Sequence, residues 1–142
     1  MIELADTSVW ARKNHPELRT WFAGAVTAGE ILLCDMVAFE LLHSASTPDL
    51  YRTLAESSVG MPWTRMGSWE WERARQVYGL LAAQGHALHR SVPHADLFIA
   101  AAAERAGVTL VHYDHDYDTI VGVTGQPARW VAPRGTLERP PP

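Results

Sequence analysis

The chain has 142 residues, 47% of them apolar, enough for one domain with a real core and too few for two. Sixteen acidic against twelve basic residues give a formal charge of −4, which argues against a broad nucleic-acid-binding surface but leaves room for local phosphate chemistry. All the bases except Lys13 are arginine, a bidentate partner for phosphate or carboxylate, although a GC-rich genome's codon preference explains that bias at least as well.

The single Cys34 lies in an apolar stretch and reads as a small hydrophobe that suits a reducing cytoplasm. The N-terminus has no basic leader, and the longest wholly apolar run, residues 97–103, is far short of the ~20 residues of a membrane span. A cytoplasmic protein without a membrane partner is expected.

In chain order, residues 2–5 read as a central strand ending at Asp6, after which Thr7 or Ser8 caps a short helix through Val9, Trp10 and Arg12. Asn14-His15-Pro16 restarts a helix with Leu18, Trp21, Phe22, Ala25 and Val26 on one face, stopped at Gly29. Residues 31–34 form a second strand, and Asp35 is placed to cap a helix to about Ala45 that carries Glu40. Thr47-Pro48 opens another helix with Leu50, Leu54 and Tyr51 facing inward. Residues 61–66 suit a short strand or a loop, with the strand favoured. Ser68 starts a helix whose apolar stripe is Trp71, Ala74, Tyr78, Leu81 and Ala82, with Glu70 and Glu72 in the positive first turn. A loop carrying His86, His89 and Arg90 leads to Pro93 and the helix of Asp96, which ends at Gly107. Residues 108–113 are a third strong strand, followed by an acidic turn, a short helix over 117–123 and an edge strand at Trp130-Val131.

Short apolar strands alternating with helices predict an α/β fold: a single-domain, three-layer α/β/α sandwich on a mainly parallel sheet of four to five strands. The domain is expected over residues 1–132, with a Pro- and Arg-rich, disordered tail over 133–142.

In such sheets ligands sit at the carboxyl ends of the strands, where Asp6 and Asp114 fall. If the strand ends are adjacent, Asp6, Glu40, Asp96 and the run Asp114, Asp116 and Asp118 converge. Clustered carboxylates raise one another's pKa, and a hard divalent cation resolves the conflict. Mg²⁺ takes carboxylate oxygens, water and phosphate, whereas zinc prefers His or Cys. The implied chemistry is metal-assisted phosphodiester hydrolysis, with the cation acidifying a water that a carboxylate orients. Each acid has a bland alternative: Asp6 as a helix cap, Glu40 as a partly exposed helical acid, Asp96 as a partner of the helix dipole, and Asp114, Asp116 and Asp118 as a solvated turn. His112, His115 and Asp116 can be drawn as a transition-metal site, but no H-E-x-x-H or cysteine pair supports it. Arg90 is a candidate phosphate contact, with simple solvation as the alternative.

The opening Asp6-Thr7-Ser8, Phe39-Glu40-Leu41-Leu42, the stretch 94–103 beginning His94-Ala95-Asp96, and Val111-His112-Tyr113-Asp114-His115-Asp116-Tyr117 together resemble a PIN domain, and more narrowly the VapC-type ribonuclease toxins. The resemblance spans nearly the whole chain. It implies a Mg²⁺-dependent endoribonuclease, with Mn²⁺ as a substitute, cutting single-stranded or loop RNA such as tRNA or rRNA to leave 5′-phosphate and 3′-hydroxyl ends. It further implies a homodimer restrained by a VapB-type antitoxin. Carried over, Asp6, Asp96 and Asp114 are metal ligands, Glu40 completes the catalytic acids, and Asp116 and Ser8 are accessory. His112 departs from the threonine common two residues before the last acid.

Two other enzyme readings exist. A Toprim-like site would use Glu40 with Asp114 and Asp116 but leaves Asp6 and Asp96 unexplained, and a haloacid-dehalogenase-type phosphatase would need an acid where Ser8 stands. A catalytically silent PIN-like binding module is disfavoured because all four core acids are present. Of the six tryptophans, Trp10, Trp63 and Trp69 have less obvious core positions than Trp21 and Trp71, which marks them as candidate dimer or antitoxin contacts.

Overall fold

Strand β1 (Glu3–Ala5) is short and almost wholly buried, and everything else is arranged around it. It pairs in parallel with β2 (Ile31–Cys34) on one side and with β4 (Thr109–His112) on the other. The two-residue β3 (Trp63–Thr64) and β5 (Ala128–Trp130) form the edges, also in parallel, so the order is β3-β2-β1-β4-β5. The computed structural model describes residues 1–138. The expected three-layer sandwich is present.

Strands covered on both faces must be apolar throughout, and β2 is buried at every position. One face packs against α1 (Thr7–Trp10) and α2 (Arg19–Thr27) through Val9, Phe22 and Ala25. The other carries α3 (Asp35–His43), α5 (Ser68–Ala83), α6 (His94–Ala106) and α7 (Asp116–Thr124), joined to the sheet through Val37, Val77, Leu97, Ile99 and Ile120. The all-small run from Ala100 to Ala103 lets α6 lie close to its neighbours, and Gly107, at φ 68°, ends it in the left-handed conformation that glycine adopts without strain.

Several local expectations are corrected. Asp6, not Thr7 or Ser8, caps α1, accepting from Ser8 N at 2.9 Å. Helix α2 begins at Arg19 rather than Pro16, because His15 Nδ1 accepts from Glu17 N and holds Pro16 in a turn. Asp35 does not cap α3. It accepts from Trp63 Nε1, Met66 N and Arg65 Nη1, pinning the β3 connection to the end of β2. Burial alone would raise its pKa, but those donors outweigh burial and lower it.

On α4 (Pro48–Ser57) Leu50 and Tyr51 are exposed, and no residue of that helix is buried. The buried stripe of α5 is Glu70, Ala74, Val77 and Leu81, so the helix is rotated from the expected face and Trp71 is 63% exposed. Glu70 tolerates complete burial because its carboxylate accepts from Gly67 N and faces Arg105. In the tail expected to be disordered from residue 133, residues 133–136 and Glu138 are exposed, and one residue anchors the segment to the domain. Leu137 is buried, and its N–H donates to Tyr113 Oη at 3.0 Å. The rest of that tail, residues 139–142, lies outside the described residues.

Candidate active site

Asp6 and Asp114 follow adjacent parallel strands, β1 and β4, so the fold delivers both to the carboxyl end of the sheet. The backbone enforces the contact: Asp6 N donates to Val111 O at 2.9 Å, and Tyr113 N donates to Ser8 Oγ at the same distance. Asp96 arrives from the first turn of α6 and Glu40 from the middle of α3.

Asp6 and Asp96 are both buried, at 4% and 8% exposure, and meet at one side chain. The fully buried Tyr117 on α7 donates its hydroxyl hydrogen to Asp6 Oδ1 at 2.5 Å, and Asp96 Oδ1 lies 3.4 Å from the same hydroxyl oxygen. Burial pushes the Tyr117 pKa well above its usual value, so it stays a neutral donor. Asp96 Oδ2 is buried with no hydrogen-bond partner among the described residues. Burial first, then the charges of Asp6, Asp114, Asp116 and Glu40, push the Asp96 carboxyl up to about 8. Four acids distant in the sequence thus act on one carboxyl group.

Glu40 is half-buried and accepts from Thr7 Oγ1 at 2.8 Å. Burial raises its pKa against the opposing bond from Thr7, with Asp6 adding to the rise. Asp114 Oδ1 accepts from Asp116 N at 2.9 Å, and Asp116 is raised by burial and then by the Asp114 charge. Among the described residues, Asp114, His115 and Asp116 present ligand atoms all within 4.8 Å of one another. Asp6, Asp96 and Asp114 do not close to that separation; the first two are joined through Tyr117 and the third stands within range of their charge.

The histidine pair drawn as a transition-metal site does not assemble. His112 is buried, its Nδ1 accepts from Asp114 N at 3.2 Å, and its ring lies between Tyr117 and Trp130. Burial lowers its pKa, in keeping with the free ring nitrogen this bond requires. Position 112 therefore shapes the acidic turn rather than offering a ligand. Asp118 points away to accept from Trp130 Nε1. Ser8 reaches the cluster by its backbone, through Ser8 N to Asp6, while its hydroxyl oxygen is taken by Tyr113 N. Arg90 is exposed on the 3-10 turn Leu88–Ser91 before α6 and makes no side-chain hydrogen bond among the described residues. Tyr117 was not singled out by sequence reasoning, and Thr7 only as a candidate helix cap, although both lie inside motifs that it used.

The donor set fits a hard divalent cation. It is built of carboxylate oxygens, and it contains a buried carboxylate oxygen lacking a partner among the described residues, which costs free energy unless a cation or proton meets it.

The family model described as "PIN domain" matches residues 4–122. Over 138 residues the chain is 44% identical to Ribonuclease VapC18 of Mycobacterium tuberculosis, covering 96% of this chain and 100% of the relative. It is 33% identical to Ribonuclease VapC51 of the same organism, covering 95% and 96%. Among solved structures, the DNA-bound VapBC from Salmonella typhimurium superposes with a TM-score of 0.69 at 18% identity over 92% of this chain and 98% of that one. VapBC-5 from Mycobacterium tuberculosis gives 0.61 at 20% identity over 92% and 97%. Their architecture is the one described above. With a family model over most of its length and near-full-length relatives at these identities, the chain belongs to the PIN-domain family, in the branch of the VapC ribonucleases.

Proposed function

We propose that this chain is the toxin of a toxin–antitoxin pair, a Mg²⁺-dependent endoribonuclease in which Asp6, Glu40, Asp96 and Asp114 form the catalytic acidic site. The observation that carries the reading is the buried, unpartnered Asp96 Oδ2 beside Asp6, with Asp114 and Glu40 in charge range. Its relatives are named as ribonucleases, and its structural neighbours are complexes of a VapC with its VapB.

Asp6, Asp96 and Asp114 would hold the cation, with Mn²⁺ able to replace Mg²⁺, and Asp116 and Ser8 are accessory. When bound, the cation supplies Lewis acidity at the scissile phosphate and a water acidified for attack. Glu40, held at one oxygen by Thr7, has its other oxygen free to accept a proton from water or orient it. Asp6 is held at both oxygens, by Tyr117 and Ser8 N, which fixes the rotation of its carboxyl group. Arg90, exposed on the 3-10 turn before α6, is proposed as a contact to a substrate phosphate.

The partner is a VapB-type antitoxin, and the toxin acts as a homodimer in the cytoplasm on single-stranded or loop RNA, with tRNA and rRNA as candidate targets. The exposed Phe39, Leu50, Tyr51 and Trp71 support a protein-covered surface. Trp63, by contrast, is partly buried and spends its Nε1 on Asp35, which weighs against it as a contact. Among the described residues no helix is long and apolar enough to cross a membrane. The test is cleavage of total RNA by the purified chain with Mg²⁺, with EDTA and as Asp96→Asn. Metal-dependent cuts with 5′-phosphate ends that vanish in the variant support the reading; cuts that persist in EDTA or in the variant refute it.

A further inference from the structure

Tyr117 is among the largest side chains that are fully buried, yet its hydroxyl is spent on two carboxylates rather than on the core. Had the core required only bulk here, phenylalanine would fill the same volume without a polar atom to satisfy. The hydroxyl has one hydrogen, and at 2.5 Å it goes to Asp6 Oδ1. Asp6 Oδ2 is taken by Ser8 N, so both Asp6 oxygens are fixed. Asp96 Oδ1, 3.4 Å from the same hydroxyl oxygen, shares that hydrogen as the longer arm of a bifurcated bond, and of the four oxygens on Asp6 and Asp96 the one without a partner among the described residues is Asp96 Oδ2.

We infer that Tyr117 is a positioning residue of the metal site: its hydroxyl fixes the rotation of the Asp6 and Asp96 carboxylates and so presents Asp96 Oδ2 as the free ligand oxygen. The inference rests on the acidic-site reading above and deepens it. The placement has a simple origin. Tyr117 lies on the inward face of α7, the helix that the Asp114 turn starts, so the segment that delivers Asp114 also delivers the clamp on the other two acids. Its ring is held by His112 at a centroid separation of 5.0 Å, and His112 in turn accepts from Asp114 N, which links the clamp to the turn.

The experiment compares the unaltered chain, Tyr117→Phe and Asp96→Asn by Mn²⁺ titration followed by electron paramagnetic resonance, at a temperature well below each protein's melting point. Loss of an outer hydrogen bond to a metal ligand weakens affinity about tenfold or more. Tyr117→Phe is expected to show that loss, and its RNA cleavage at low Mg²⁺ is expected to recover when Mg²⁺ is raised by the same factor. A purely structural tyrosine would move the melting temperature but neither affinity nor metal rescue. Unchanged Mn²⁺ affinity in Tyr117→Phe, alongside its loss in Asp96→Asn, overturns the inference alone. Undiminished binding in Asp96→Asn overturns the site itself. Should Tyr117→Phe not fold, a ring-fluorinated tyrosine introduced at position 117 alone decides the matter: a fluorine shift saturating with Mg²⁺ supports the clamp, and no shift at saturating Mg²⁺ overturns it.

Discussion

Thr7 Oγ1 donates to Glu40 Oε1 at 2.8 Å, and this bond ties the helix after β1 to the helix after β2 at the place where their acids meet. Glu40 is only half-buried, so without Thr7 its long side chain would sample solvent-facing rotamers. Thr7→Val keeps the shape and removes the donor. The fold should persist by circular dichroism, while kcat for RNA cleavage falls roughly tenfold, the scale of a hydrogen bond to a charged group. Thr7→Ser, which restores the hydroxyl, should recover most of the activity.

The raised pKa of Asp96 makes stability depend on pH in a defined direction. Because the folded chain holds this proton up to about 8, whereas an unfolded aspartate releases it near 3.8, the group's contribution is fully present below that lower value and is lost as pH rises through the folded pKa. Without added metal, urea-unfolding free energy should fall between pH 5 and pH 9 by something on the order of a few kcal/mol. Asp96→Asn should flatten that slope. Saturating Mg²⁺ should restore stability at the alkaline end by binding the folded state alone.

Much of this arrangement was legible in the sequence. An apolar strand ending in Asp6, another ending before Asp114, and Asp96 opening an apolar helix are patterns set by chain-local chemistry, and the sheet order does bring the strand ends together. What was not legible depends on partners far away in the chain. Glu70 reads as an acid in the positive first turn of its helix, and only the structure shows Arg105 and Gly67 N meeting it. That burial rotates α5 and leaves Trp71 outside. Asp35 reads as a helix cap until β3 places Trp63 and Met66 on it. Tyr117 reads only as the start of a short helix, and its hydroxyl acquires a role when Asp6 and Asp96 arrive from elsewhere.

Glu70 offers a test of structure separated from function. Glu70→Ala should cost about 1–2 kcal/mol in urea unfolding through loss of the bond to Gly67 N at the start of α5. Glu70→Gln, which can still accept there, should cost less. Neither should change Mn²⁺ affinity, since Glu70 is outside the acidic site.

Cys34 should be inert in the native chain. Burial pushes its thiol up to about 12, so neither access nor thiolate is available at pH 8. A thiol-reactive dye should label it only at the rate of unfolding, and faster labelling would show that β2 opens locally.

The central claim, that Asp6, Glu40, Asp96 and Asp114 form one site for a divalent cation, is tested most directly by calorimetric titration of Mg²⁺ at pH 7 in buffers of different ionisation enthalpy. The account predicts saturable binding with release of close to one proton, the one held on Asp96, and loss of both in Asp96→Asn. Equal Mg²⁺ affinity in the unaltered chain and in Asp96→Asn would contradict it.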